Sequence, residues 1–231
     1  MTLIKLLSKE YKKREDNRRM LLSEPRYQKV LSLIKDKHFH RSLDVGCFGG
    51  DFAKRLLPYS DSVYGVDIVR KSVERAKKLK IKAFCVDLEK DSLPFPNNFF
   101  DFVHFGETIE HLVNTDHVLE EIYRVLEPKG IVIITTPNLC WWVNRLVMLF
   151  GYQPFGTEVS LRYSPGKLYH RWGEQPSSHV RLFSPPALIQ LCKKYKLIPQ
   201  KIEICKPTPP LPLPFNLIDS LLSLKKHLVI N

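Results

Sequence analysis

The sequence has no pair of cysteines at metal-binding spacing: its five, Cys47, Cys85, Cys140, Cys192 and Cys205, are odd in number and nowhere form C-x-x-C. That argues against a disulfide framework or a zinc knuckle and points to a reducing, cytoplasmic setting. No apolar run reaches the roughly eighteen residues of a membrane span. The longest, 139–150, is interrupted by Asn144 and Arg145, which leaves open only peripheral contact through an interfacial or lid helix. The N-terminus lacks the apolar core and cleavage site of a signal peptide. There is no G-x-G-x-x-G, which disfavours hydride transfer with a dinucleotide, and no nucleophile-base-acid triad is evident.

What is present is positive charge. The chain carries 36 Lys and Arg against 24 Asp and Glu, a net +12. Half of the excess lies in residues 1–40, which hold eleven basic and five acidic side chains. Such a balance favours an anionic partner, RNA among them, although a solvated helical face accounts for the same charges.

Apolar residues recur at helical spacing over 3–37 with a break near Pro25, predicting a helical N-terminal cap. From residue 42 short apolar runs alternate with helical patterns. Strands are expected at 42–45, 63–66, 83–86, 100–105 and 131–135, and helices at 51–57, 71–79 and 117–126. This rhythm predicts an α/β fold, a doubly wound, mostly parallel sheet whose ligand lies beyond the carboxyl ends of the strands. After Pro137 the rhythm stops. Residues 138–178 form an insertion carrying Trp141, Trp142, Tyr152, Phe155, Tyr163, Tyr169 and Trp172, suited either to stack an acceptor ring or to pack as a lid. A helix follows over 184–195, capped by Ser184 with Pro185 at its first position, then a strand at 198–204. The five prolines of 206–215 imply an extended connection, with a helix at 216–224 and a last strand at 227–230. One domain, 1–231, is expected: cap 1–40, cofactor core 41–137, inserted lid 138–178 and the rest of the sheet from 179.

The stretch Asp44-Val45-Gly46-Cys47-Phe48-Gly49-Gly50 turns the first strand into a helix, where glycine permits positive φ and close backbone approach. Asp67 ends the second strand and Asp87 the third. A carboxylate at the first position can accept ribose hydroxyls, and one at the second can reach an adenine amino group. Taken singly, each is as readily a helix cap.

With these features in order, the sequence resembles the class I S-adenosylmethionine-dependent methyltransferases. The resemblance rests on LDVGCFGG, VYGVDI, FCVDLE, FDFVHFGETIEHL and RVLEPKGIVIITTPN, and returns in HVRLFSPPALIQLCKKYKLIP. It implies a seven-stranded sheet of order 3-2-1-4-5-7-6 with one antiparallel strand, and S-adenosyl-L-methionine as cofactor. It further implies that Asp44, Gly46 and Gly50 hold the methionine part of the donor, Asp67 the ribose and Asp87 with Leu88 the adenine, with Cys47, Phe48, Ile68 and Gly106 also lining the cofactor site. Phe48 stands where the family has a glycine, so the loop is expected to be rearranged or to use ordinary dihedrals there, with Gly49 supplying the lost freedom.

Methyl transfer from a sulfonium needs alignment more than acid-base chemistry. Residues facing the donor are expected from Glu107-Thr108-Ile109-Glu110-His111, with Glu107 and His111 as catalytic candidates. On a helical turn E-x-x-E-H brings its acidic and imidazole groups to one side. The triplet resembles one that holds a divalent metal in ubiquinone-pathway O-methyltransferases and, with a later histidine, in small-RNA 2′-O-methyltransferases; Glu107, Glu110, His111 and His179 would be the ligands. It also occurs in relatives without a metal, where it caps a helix and lines the cofactor pocket. The expected reaction is methyl transfer to an O or N acceptor on a small molecule, with RNA as the alternative acceptor and a non-catalytic basic binding module as the alternative class.

Overall fold

The computed structural model describes residues 25–160, 162–168, 178–205 and 227–230. The expected helix before Pro25, the connection and helix at 206–224, and the side chains of Tyr169 and Trp172 lie outside them. In chain order the elements are α1 (Pro25–Ile34), β1 (Phe39–Val45), α2 (Ala53–Leu56), β2 (Ser60–Asp67), α3 (Arg70–Lys78), β3 (Lys82–Cys85) and β4 (Phe100–Gly106). There follow α4 (Thr115–Val125), β5 (Leu126–Pro137), α5 (Trp142–Leu149), α6 (Pro185–Lys194), β6 (Ile202–Cys205) and β7 (His227–Ile230). The strands form one sheet of order β3-β2-β1-β4-β5-β7-β6. β1 to β5 pair in parallel, and β7 runs antiparallel to both neighbours.

Parallel strands are buried on both faces, and β4 shows how the alternation is used. Phe102 points into a core made with Val30 and Ile34 of α1, Ala53 and Leu56 of α2, and Val73 and Ala76 of α3. Val103 and Phe105 belong to the opposite core, with Val118, Leu119 and Ile122 of α4 and Leu188 and Cys192 of α6. Strand order reverses between β1 and β4, so the loops leaving these two strands splay apart and open a crevice at their carboxyl ends.

Several boundaries differ from the sequence expectation. The helix after β1 lasts only four residues before Pro58 takes the chain into a 3-10 turn at Leu57–Tyr59, because proline is accepted at a helix start and not inside one. β6 begins at Ile202 rather than at 198. Ser184 caps α6 as expected, accepting from Ala187 N at 3.3 Å. Within the insertion the structure places α5, with Trp142, Asn144 and Val147 on its buried side.

Candidate functional site

The β1 side of the crevice is organised by backbone donors. Gly46 N and Cys47 N both donate to Val66 O at 2.9 Å, which locks the start of the loop to β2. Gly46 (φ +74°) and Gly50 (φ +80°) take left-handed backbone, and a Cβ on Gly50 would stand 3.0 Å from the Ala76 backbone. Phe48 also takes it, at φ +53°, whereas Gly49 does not. Of the two expected outcomes at Phe48, ordinary dihedrals is the one overturned, and Gly49 does not supply the freedom. The reason is a contact with the end of β2: Phe48 N donates to Asp67 Oδ2 at 2.8 Å. That charge-assisted bond, of the order of 1.5–3 kcal/mol, offsets the roughly 1–2 kcal/mol an L-residue costs in this region.

Asp67 has its second oxygen on Val69 N at 2.8 Å, so one carboxylate ties the glycine loop to the turn after β2. Asp87 accepts from Glu89 N at 3.1 Å and pairs with Lys90 at 3.1 Å, closing the turn after β3 beside buried Leu88. Asp44 faces His104 across the β1-β4 pairing, Oδ1 to Nδ1 at 2.7 Å, both nearly fully buried. The His104 ring lies on Phe52 with centroids 3.9 Å apart, and its Nε2 is buried without a partner. Burial, then the nearby charge of Asp67, pushes the Cys47 thiol well above its usual range, so it contributes a small apolar side chain to the loop and not a nucleophile.

On the β4 side Glu107 has left-handed backbone (φ +49°) before a 3-10 turn at Ile109–His111. This breaks the single helical face on which E-x-x-E-H was expected to gather. Glu107 bonds Arg26 NH1 of α1 at 3.0 Å and accepts from Thr135 Oγ1 at 3.1 Å. Arg26 has no local sequence signal, and with Tyr27 stacked on Phe52 at 5.1 Å it fastens α1 across the crevice.

Glu110, His111 and His179 do converge, with one potential ligand atom from each within 4.8 Å of the others. Glu110 is wholly buried; Oε2 accepts from Thr136 Oγ1 at 3.0 Å and Oε1 has no partner. Burial first, then the charge of Glu107, holds its carboxyl well above the usual carboxylate range. His111 Nδ1 lies 3.1 Å from Ser178 O, and His179 Nδ1 lies 2.9 Å from Gly156 O. A carbonyl can only accept, so each ring donates from Nδ1 and keeps Nε2 as its basic nitrogen, the arrangement that orients histidines toward a cation. The segment carrying His179 is held in place by Val180 N, which donates to Glu110 O at 2.8 Å. A buried carboxylate with an unpartnered oxygen beside two oriented imidazoles fits a divalent cation.

Comparison with known proteins bears on the fold and on the core from β1 to β5. A model of the methyltransferase domain family matches residues 43–134, from β1 into β5. The chain is 27% identical over 183 residues to the ubiquinone biosynthesis O-methyltransferase of Pelagibacter ubique, covering 76% of this chain and 68% of that protein. It is 36% identical over 97 residues to the 27-O-demethylrifamycin SV methyltransferase of Amycolatopsis mediterranei, covering 39% and 36%. The chain spans 58% and 51% of the next two relatives. Among solved structures, a SAM-dependent methyltransferase from Aquifex aeolicus superposes with a TM-score of 0.60 at 19% identity, over 96% of this chain and 95% of that one. Among the described residues no helix is long and apolar enough to cross a membrane.

Proposed function

We propose that this chain, a class I S-adenosylmethionine-dependent methyltransferase, moves the donor's methyl group onto a hydroxyl oxygen of a small molecule. The observation that carries the acceptor chemistry is the convergence of Glu110, His111 and His179 at the crevice, with the buried Glu110 Oε1 unpartnered. The name of the Pelagibacter ubique relative, an O-methyltransferase, supports the same class of acceptor.

In this reading the donor lies across the ends of β1 to β3. Gly46 and Gly50 let the backbone approach its methionine part, and Asp44 sits beneath. Asp67, at the end of β2, faces the ribose hydroxyls. Asp87 and Leu88 border the adenine. The acceptor enters from the β4 side. Its oxygen attacks the methyl carbon, the carbon-sulfur bond breaks with its electrons going to sulfur, and the hydroxyl proton passes to solvent water.

The residues present fit a divalent cation, held by Glu110 and the Nε2 atoms of His111 and His179. Bound there, a divalent cation supplies a Lewis acid that draws in the acceptor oxygen and lowers its pKa. His111 and His179 are oriented by Ser178 O and Gly156 O. Glu107, shared between Arg26 and Thr135, stands at the entrance to the segment and sets its position. Trp141 and Phe155, with ring centroids 6.4 Å apart, form the wall against which an acceptor ring packs.

Calorimetry with S-adenosylmethionine, followed by a screen of phenolic and aliphatic hydroxyl acceptors with and without chelator, tests both halves. Donor binding together with chelator-sensitive O-methylation is the expected result. A protein that binds no donor contradicts the reading, and chelator-insensitive turnover on an identified hydroxyl removes the cation from it.

A further inference from the structure

The end of α5 presents apolar side chains to solvent. Leu149 is 77% and Phe150 72% exposed, and Leu146, Met148 and Tyr152 are more than two-fifths exposed. Leu146, Leu149 and Phe150 recur at three- and four-residue spacing, so they share one side of the helix's last turn, opposite the buried Asn144, with Trp142 buried one turn earlier on the same side. Gln153 N donates to Gly166 O at 2.8 Å, which brings Leu168, also exposed, to the rim of the same patch. An apolar face of this kind on a soluble-looking helix marks an interaction site.

The patch is held rigidly. Asn144 receives Phe155 N at 2.9 Å and donates to Phe155 O at 3.2 Å, fixing the 153–157 turn to α5. Lys167 Nζ donates to Pro154 O at 2.9 Å and Thr157 O at 2.5 Å, so its ammonium clamps the turn from the other side. Charge on the surface comes from exposed Arg145 and Arg162. The one acid of residues 138–168, Glu158, is occupied by Ser164 Oγ at 2.9 Å.

We infer that the α5 tip docks on an anionic lipid surface, with Leu149 and Phe150 entering the acyl boundary and Arg145 and Arg162 meeting the headgroups. The combination of projecting apolar residues and flanking guanidinium groups is that of an interfacial helix. A second copy of the chain is a poorer occupant. A two-fold contact would set Arg145 near its own image, in a molecule of net +12. The docked face is also continuous with the candidate site: Asn144 holds Phe155, and the adjacent Gly156 O orients His179. The purpose, access to an acceptor residing in the bilayer, rests on the proposed function; the docking does not.

The test is cosedimentation of the full chain with vesicles of phosphatidylcholine alone and with added phosphatidylglycerol. The chain is expected to bind only the anionic vesicles. Leu149→Glu with Phe150→Glu should weaken binding at least about tenfold, and Arg145→Glu by about tenfold. Because all three side chains are exposed, the thermal midpoint should not move, and donor affinity by calorimetry should match the unsubstituted chain. Wild-type protein that stays in the supernatant, equal binding to neutral vesicles, or undiminished binding by the double variant overturns the inference. So does a wild-type dimer, seen by light scattering, that the double variant converts to monomer. Failure of the wild-type chain to bind donor would instead count against the methyltransferase reading and leave the vesicle result standing.

Discussion

On the β1 to β3 side of the crevice the carboxylates are committed to the chain's own backbone, whereas on the β4 side a carboxylate oxygen is left buried and unused. Asp67 takes two backbone N–H groups, Asp87 closes its own turn, and Asp44 is matched to His104. Glu110 Oε1 has nothing. The first side is built for stability and shape at once: the bonds that hold the loop also set the cavity. The second side carries a cost in the empty protein, since an unsatisfied buried polar group is worth about 1–3 kcal/mol of destabilisation. Such a cost is recovered only by something that binds there.

The comparison breaks most sharply at Asp67. Asp67→Ala removes the acceptor of Phe48 N and Val69 N. Stability measured by urea denaturation should fall by about 3 kcal/mol, and donor affinity by roughly tenfold to a hundredfold. A folded variant with unchanged donor affinity would show that Asp67 serves the loop alone. Next in size is Gly50→Ala. The methyl group meets the Ala76 backbone at 3.0 Å in a conformation L-residues avoid, for a loss of about 2 kcal/mol by the same measurement.

Much of the first side was legible before the structure because its signals are local. Continuous apolar runs mark buried parallel strands, and an acid directly after each run falls at the crevice by geometry alone. What escaped depended on non-local fit. Phe48 is a residue type that argues against positive φ, and only the acceptor on β2 makes that conformation pay. Arg26 reaches Glu107 from a helix that no motif links to it. E-x-x-E-H reads as one face of a helix, yet the left-handed backbone at Glu107 turns that residue toward α1 and leaves Glu110 and His111 to meet His179. His104 was visible as a polar residue in an apolar strand, but the register that sets it opposite Asp44 was not.

On the β4 side the opposite sign is expected. Glu110→Gln should raise the stability of the metal-free protein at neutral pH, by an amount of the order of 1 kcal/mol, while abolishing any rise in thermal midpoint on adding Mn²⁺ or Zn²⁺. The sign follows from the raised pKa. A carboxyl held above its unfolded range contributes fully below the unfolded pKa, and that contribution is lost as pH rises through the folded value. The unsubstituted protein should therefore lose stability toward alkaline pH by this route, and the amide variant should not. A variant that melts lower than the parent at neutral pH would mean that Glu110 is a structural carboxylate.

The smallest effect sharpens the contrast by using a carboxylate in neither wall. Glu121 on α4 bonds Arg124 through both oxygens, at 2.7 and 2.6 Å, and accepts from Leu93 N at 2.6 Å. The Arg124 bond, ahead of burial, holds its carboxyl below the usual range. Here the linkage runs the other way: the stabilisation is fully present above the unfolded pKa and disappears as pH falls through the folded one. Glu121→Gln should cost about 1 kcal/mol at neutral pH and flatten the acid limb of the stability profile, leaving the alkaline limb to Glu110. Measured side by side from pH 3 to pH 9, the two variants should remove opposite limbs of one curve. If both flatten the same limb, the division between a carboxylate spent on the fold and one held in reserve for a ligand is wrong, and Glu110 belongs with Asp67 among the groups that simply hold the chain together.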